Sequence, residues 1–453
     1  MHSKSDVDMT TGTIWKRILS FTLPLLVGNL FQQFYSTVDS IVVGDFVGAN
    51  ALGAVAATAQ IINALIGLFM GFTTGAGVVI SQYYGARSIE SMRRAIHTAV
   101  VFSVFLSVVM TALGVCFTPW MVRAMKTPAA IAPEAVTYLR IYFAGGVGLV
   151  FYNMGASILR AVGDSRRPLY FLVLSSVLNV ILDLVFVIAF RLGVAGVGYA
   201  TILSQLISAL AIFALLFRTQ DDYGLRLSEM KIHWAMLKKI VGVGLPTGFQ
   251  QSIIAFSNVF VLSYVNAFDA AATAGWGIRL RLEAFIFLPV QSISLATTTF
   301  VGQNAGAGKP DRIREGVSVS LKMSALITFV IVTVLFAFAP QVCRVFNQEP
   351  EVVGYAVLFL RWSIPFALVV CGNQIYAGAL RGVGDARLPM LVMIGSYVLL
   401  RQAYLYVVTK LTDSVIAVTL VFPLGWTVCS VIMFLIFHSK RWERDLIRSI
   451  PAS

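Results

Sequence analysis

Charge, cysteine and histidine are all scarce in this chain. Only 12% of its 453 residues are charged, against 58% that are hydrophobic, too little polar surface for a soluble globular protein of this length. The four cysteines, Cys116, Cys343, Cys371 and Cys429, lie in or beside apolar runs without metal-type spacing and are expected to be ordinary buried thiols. The four histidines, His2, His97, His233 and His438, stand at the termini or near expected loops. No His-Glu-x-x-His, Gly-x-Ser-x-Gly or phosphate-cradling loop occurs, which removes the common hydrolase and nucleotide-dependent classes.

What the chain has in abundance is long apolar runs. Mean hydropathy is +0.83, and runs of more than about 18 apolar residues recur between short basic or turn-rich segments, the pattern of an all-α polytopic membrane protein. Twelve transmembrane helices are expected, over 16–43, 52–80, 95–117, 137–158, 169–190, 195–217, 240–265, 276–301, 317–338, 359–380, 389–408 and 415–437. Asp6, Asp8, Trp15, Lys16 and Arg17 lead into a first span, not a cleaved signal peptide. The net charge of +13 sits in the connections, as orientation signals do, so nucleic-acid binding is discarded.

An even span count puts both termini on one side. If that side is cytoplasmic, the inner segments hold Lys4, Arg87, Arg93, Arg94, Arg160, Arg166, Arg167, Arg218, Lys309, Arg381, Arg387, Arg448 and others, whereas the outer ones hold only Arg123, Lys126, Arg191, Arg344 and Lys410. That bias predicts a multi-pass protein of the cell (inner) membrane with cytoplasmic termini. Trp15, Trp120, Trp234, Trp276 and Trp442 fall near span ends and read as interfacial anchors.

The chain also repeats itself. Leu159-Arg160-Ala161-Val162-Gly163-Asp164-Ser165-Arg166-Arg167-Pro168 recurs as Leu380-Arg381-Gly382-Val383-Gly384-Asp385-Ala386-Arg387-Leu388-Pro389, a shift of 221, and Gln82, Gly85 and Ala86 match Gln303, Gly306 and Ala307 at the same shift. Two pseudo-symmetric six-helix lobes follow, 1–217 and 240–453, joined by a polar cytoplasmic linker over 218–239. In the repeated motif, Gly and Asp make an inner turn, Pro starts the next helix, and Arg160 and Arg381 are placed to pair with Asp164 and Asp385.

Within the apolar run SSVLNVILDLVFVIAF, Asn179 and Asp183 are four residues apart and share a helix face. Counting down from the outer span ends puts Asp183, Thr201 and Asp39 each about 12–14 Å deep. Two carboxylates, a carboxamide oxygen and a hydroxyl suit a hard cation such as sodium, or a shared proton. At a shift of 221 these four residues meet Phe260, Leu400, Tyr404 and Phe422, and at 222 Val261, Arg401, Leu405 and Pro423. The second copy folds without them, which favours a functional role over a structural one.

Taken in order along both halves, these residues resemble the multidrug and toxic compound extrusion (MATE) transporters. The resemblance runs from Thr13-Ile14-Trp15-Lys16-Arg17 and Leu23-Pro24, through Asp39 with Gly44, to Gly302-Gln303-Asn304 with Gly306-Ala307. It implies two lobes that open alternately, and in the DinF-like branch a cation site that matches Asp39, Asn179, Asp183 and Thr201. The NorM-like branch carries acids in spans seven and ten, and this chain has none in 245–265 or 361–380.

Gln32, Tyr35, Ser36 and Gln205 fall at helical spacing from the cation set, and Asn153 in span four joins them as a substrate-path candidate, with interhelical hydrogen bonding the plainer alternative. Arg279 and Glu283 in span eight are spaced to neutralise each other, while Arg281 and Arg401 have no partner that spacing names. A structural or gating role is the first expectation for that pair, an anionic substrate group or a watery surface the others. Pro24 lets span one bend as Asp39 changes protonation. The reading is therefore a monomeric antiporter, not an enzyme and without cofactor, that exports small amphipathic and chiefly cationic compounds against H+ or Na+. A flippase of lipid-linked precursors and, as a different class, an intramembrane hydrolase using the two aspartates are the alternatives.

Overall fold

The computed structural model describes residues 8–125 and 127–444. His2, Lys4, Asp6, Lys126 and Arg448, which entered the sequence reading, lie outside the described residues.

Every regular element among the described residues is helical. In order they are α1 (Ile14–Val42), α2 (Ala49–Gly85), α3 (Ile89–Ala124), α4 (Ala132–Ala144), α5 (Gly146–Ala161), α6 (Arg166–Asp183), α7 (Gly193–Arg218), α8 (Trp234–Val265), α9 (Ala270–Gly306), α10 (Pro310–Ala337), α11 (Ala339–Phe346), α12 (Pro350–Ser363), α13 (Ala367–Gly382), α14 (Arg387–Ile394), α15 (Leu400–Leu411), α16 (Val415–Thr419) and α17 (Val421–His438). Each of the twelve expected spans coincides with one helix or one interrupted helix. Nine of these elements are long and apolar enough to cross a membrane by themselves. The fourth span is a pair, α4 and α5, bent by 47° at Gly145. The tenth breaks at a short 3-10 turn around Pro365, whose ring removes a backbone donor. α1 and α8 fall outside the nine, because Gln32, Gln33, Ser36 and Thr37 in one, and Gln250, Gln251, Ser257 and Asn258 in the other, dilute their apolar faces.

Large apolar side chains stay exposed along the spans, among them Val108, Leu210, Leu326 and Leu399. In water such rows would be a liability, and against lipid they are the ordinary outer surface. The expected interfacial tryptophans divide. Trp15, Trp120 and Trp234 are exposed, whereas Trp276 and Trp442 are buried. Trp276 meets Phe359 edge to face at 5.1 Å, so the anchoring role does not hold for it; the ring serves the core.

By contacts the residues group into two units, Ser20–Ser252 in the first, and Thr10–Leu19 with Ile253 onward in the second. In the first unit α2 and α8 touch backbone to backbone. A Cβ on Gly71 would fall on the Gly248 main chain, and one on Gly244 would come within 2.8 Å of the Phe72 Cα. Small residues permit such close approach of membrane helices. Ser252 donates to the Ala64 carbonyl (2.7 Å) at one end of this seam and Lys239 to the Tyr83 hydroxyl (2.7 Å) at the other.

The segment after α7 packs onto the first unit. Tyr223 and Leu225 are buried, the Arg226 amide donates to His97 Nε2 (3.0 Å), and the His233 amide donates to Thr98 Oγ1 (3.1 Å). His97 Nδ1 lies 2.8 Å from the Arg93 carbonyl, so both ring nitrogens are used by a neutral imidazole.

The repeated motif makes the same turn twice, with φ of 97° at Gly163 and 98° at Gly384, a left-handed conformation that glycine adopts freely. The aspartates that follow cap the next helix: Asp164 accepts from the Arg166 and Arg167 amides, and Asp385 from those of Arg387 and Leu388. The expected pairing with Arg160 is corrected, because the cap turns the Asp164 carboxylate forward to Arg167 Nε at 3.2 Å. For Asp385, too, no ion pair with Arg381 forms among the described residues. Burial pushes the Asp164 carboxyl above its ordinary value, against the opposing pull of the Arg167 amide and guanidinium.

Candidate functional site

Both first-lobe carboxylates sit where a helix changes its winding. α1 runs directly into a π turn over Val43–Val47, and α6 ends at Asp183 and continues as a π turn over Leu184–Ala189. The Gly48 amide bonds the Val43 carbonyl and the Phe190 amide the Val185 carbonyl, each at 3.0 Å and five residues back. The two π turns pack against each other. Single π turns recur at functional positions because they redirect side chains without breaking the span.

The packing brings Asp39 and Asp183 within hydrogen-bonding reach of one another. Asp183 is fully buried and Asn179, one turn away, is 2% exposed. Asp39 Oδ1, both oxygens of Asp183 and both amide atoms of Asn179 are buried without a hydrogen-bond partner. Two carboxylates in contact have only acceptors to offer each other. In such a place the pair holds together only with a proton or a cation between the oxygens.

The remaining expected residues are distributed unevenly around this pair. Tyr35 lies in the electrostatic field of both carboxyls and within hydrogen-bonding reach of Gln32. Gln205 reaches Tyr142. Ser36 is exposed on the same helix. The Thr201 hydroxyl donates to the Val197 carbonyl (3.0 Å), which leaves its lone pairs as acceptors. Asn153 donates to the Leu149 carbonyl (2.8 Å) and lines a small pocket with Thr73 and apolar side chains. No group of three or more His, Cys, Asp or Glu occurs among the described residues. A cation here would therefore rely on amide and hydroxyl oxygens to complete its shell, and the donor set fits a monovalent ion better than a transition metal.

Sequence reasoning missed Tyr138 and Tyr142. Both are buried on α4 with ring centroids 6.1 Å apart, and Tyr138 feels Asp39 and Asp183 together. Their four-residue spacing was visible, but the bend that turns α4 toward α7 was not. Gly145, at the bend, makes that packing possible, since a Cβ there would fall on the Ile202 Cβ.

The second unit holds a buried basic cluster. Arg279 Nη2 lies 2.8 Å from Glu283 Oε2, as the spacing predicted, and Arg279 Nε donates to Ser363 Oγ (3.0 Å). Arg401 gains the partner that the sequence did not name, the Asn258 carboxamide oxygen at 2.9 Å. The Phe422 ring serves both arginines, each guanidinium carbon 4.4 Å from its centroid. Arg281 is exposed.

One family model, MatE, matches this chain twice, over residues 24–185 and 246–407, one match in each half. The chain belongs to the MATE family of multidrug efflux transporters. Its relatives include the "Probable multidrug resistance protein YpnP" of Bacillus subtilis (strain 168), 31% identical over 85% of this chain and 86% of that protein. Among solved structures it is similar to a MOP superfamily transporter from Pyrococcus furiosus Vc1, described as having a binding pocket of reverse polarity, with TM-score 0.92 and 25% identity over 97% of this chain and 98% of that one. It is also similar to an outward-facing MATE transporter of the MOP superfamily, with TM-score 0.91 and 25% identity over the full length of both chains. MATE proteins are multi-pass membrane transporters, not enzymes.

Proposed function

We propose that this MATE protein is a monomeric secondary antiporter of the cell inner membrane, with cytoplasmic termini and six-helix lobes over 1–217 and 240–453. It exports small amphipathic compounds as H+ or Na+ enters. The observation that carries the reading is the contact between Asp39 and Asp183, whose buried oxygens lack any donor. Asn179 and Thr201 complete the proposed ion site, and the ion's arrival and departure alter the charge that the pair must share. Gln32, Tyr35, Ser36, Gln205 and Asn153 supply the polar side of the export path, and Arg279, Arg281, Glu283 and Arg401 its charged side. Only a difference in ion affinity between two conformations can drive export, so loading from outside favours the state that releases substrate outward. Pro24, inside α1, supplies a flexible point in the helix that carries Asp39.

The test is efflux from proteoliposomes with sodium and pH gradients imposed independently. One gradient drives wild-type efflux, and Asp39→Asn and Asp183→Asn lose that dependence while still inserting. Unchanged efflux in both variants removes the mechanism.

A further inference from the structure

The second-unit cluster is out of balance. Arg279 is fully buried and Arg401 is 2% exposed, and the carboxylate that their electrostatics bring to them is that of Glu283. Two guanidiniums against one carboxylate leave a buried positive charge. Arg279 Nη1 and Arg401 Nε have no hydrogen-bond partner. The aromatic faces cannot make up the difference. A ring face returns only part of what a guanidinium loses on leaving water. A cluster that serves packing alone reaches neutrality with matched charges, and here a second acid is missing.

From this imbalance we infer that Arg279 and Arg401 form an anion site, which takes a carboxylate or phosphate group of the exported compound. Guanidinium forks match both oxyanions geometrically. Phe422, near both guanidiniums, and Trp276, whose ring centroid is 4.4 Å from the Arg279 guanidinium carbon, give a flat apolar part of the same compound aromatic neighbours. Asn258, whose carboxamide oxygen accepts from Arg401, is exposed, and Glu283 is the internal rival that the incoming anion displaces from Arg279. This inference rests on the exporter reading only in taking the anion to be part of cargo.

The probe is phenyl phosphate, titrated into the full-length protein in detergent while its melting temperature is followed. The melting temperature should rise with dose, and phenol at the same concentration or sodium chloride at the same ionic strength should leave it unchanged. Arg401→Gln should weaken the apparent affinity about tenfold or more, the loss expected for one charge-assisted contact. Glu283→Gln, which removes the rival, should strengthen it several-fold, and the wild-type response to phenyl phosphate against phenol and sodium chloride decides the matter if neither variant folds. No response beyond that to chloride, an unaltered response in Arg401→Gln, or an unaltered affinity in Glu283→Gln overturns the inference. Protection by phosphatidylglycerol without protection by phenyl phosphate overturns it in favour of a lipid headgroup. Asp39→Asn should keep the phenyl phosphate response although it loses coupled efflux, so the two readings fail separately.

Discussion

The two halves of this transporter use one scaffold for opposite charges. In the first half a pair of carboxylates, the half-buried Asp39 and the buried Asp183, stands beside an unpartnered Asn179. The duplicated positions in the second half carry Arg401 where Asn179 falls at a shift of 222 and Phe422 where Thr201 falls at 221, and both belong to the basic cluster. The duplication preserved what the backbone needs, down to the φ of Gly163 and Gly384. It did not preserve the sign of the charge at mid-span. Fold and side-chain chemistry therefore separate: the repeat accounts for the helices, and these charges fall where the two copies depart from it.

The sharpest way to break this contrast is to neutralise the acidic half. Asp183→Asn should bring gradient-driven efflux to the level of protein-free vesicles, with the protein still extracted from the membrane in normal amount. If efflux survives, the second half carries the coupling. Next in size is the charge balance of the basic half. Glu283→Gln leaves two guanidiniums without an internal counter-charge and should cost about 3–5 kcal/mol of stability. Arg279→Met should cost clearly less, because Arg401 remains to face Glu283. Melting temperatures in detergent give the order, and the reverse order would mean that Arg279 is a packing element. A smaller effect is expected at Tyr138→Phe, which keeps the ring among its neighbours and removes one hydroxyl from the field of the acids; efflux should fall several-fold with stability within about 1 kcal/mol.

The smallest effect compares the two motif caps. Asp164→Asn and Asp385→Asn both keep a cap acceptor, so each should cost about 1 kcal/mol or less. The Asp164 carboxyl is held above its ordinary value by burial. Its ionised form is therefore a burden on the folded state at high pH, and that burden is lifted as pH falls through the raised value. Wild type should gain on Asp164→Asn as the medium is acidified, and melting curves across mildly acidic pH would show it.

Much of the architecture could be read from the chain because membranes enforce long apolar runs and because the repeat checks each assignment against its copy. The acidic pair was legible for the same reason, since a carboxylate in such a run has few excuses. Tyr138 and Tyr142 were hidden because their position depends on a bend of 47°, and a glycine in an apolar run does not announce its angle. Phe422 was hidden because a phenylalanine in a span ordinarily meets lipid; only tertiary packing brings two arginines to its ring. Trp276 misled for the opposite reason, with a span-end position that suits an anchor and a side chain that the fold draws inward. Arg160 and Asp164 illustrate a local limit, because four-residue spacing suggested a pair, but the capping turn aims the carboxylate the other way.

The glycine seam between α2 and α8 has an implication for how substitution could proceed here. Where Gly71 and Gly248 meet, main chain lies against main chain, and no side-chain rotamer stands between them to yield. Dispersion falls away within a fraction of an ångström of separation, so even a methyl group would not loosen this junction by degrees but would part it. The residues of such a joint have almost no room to drift.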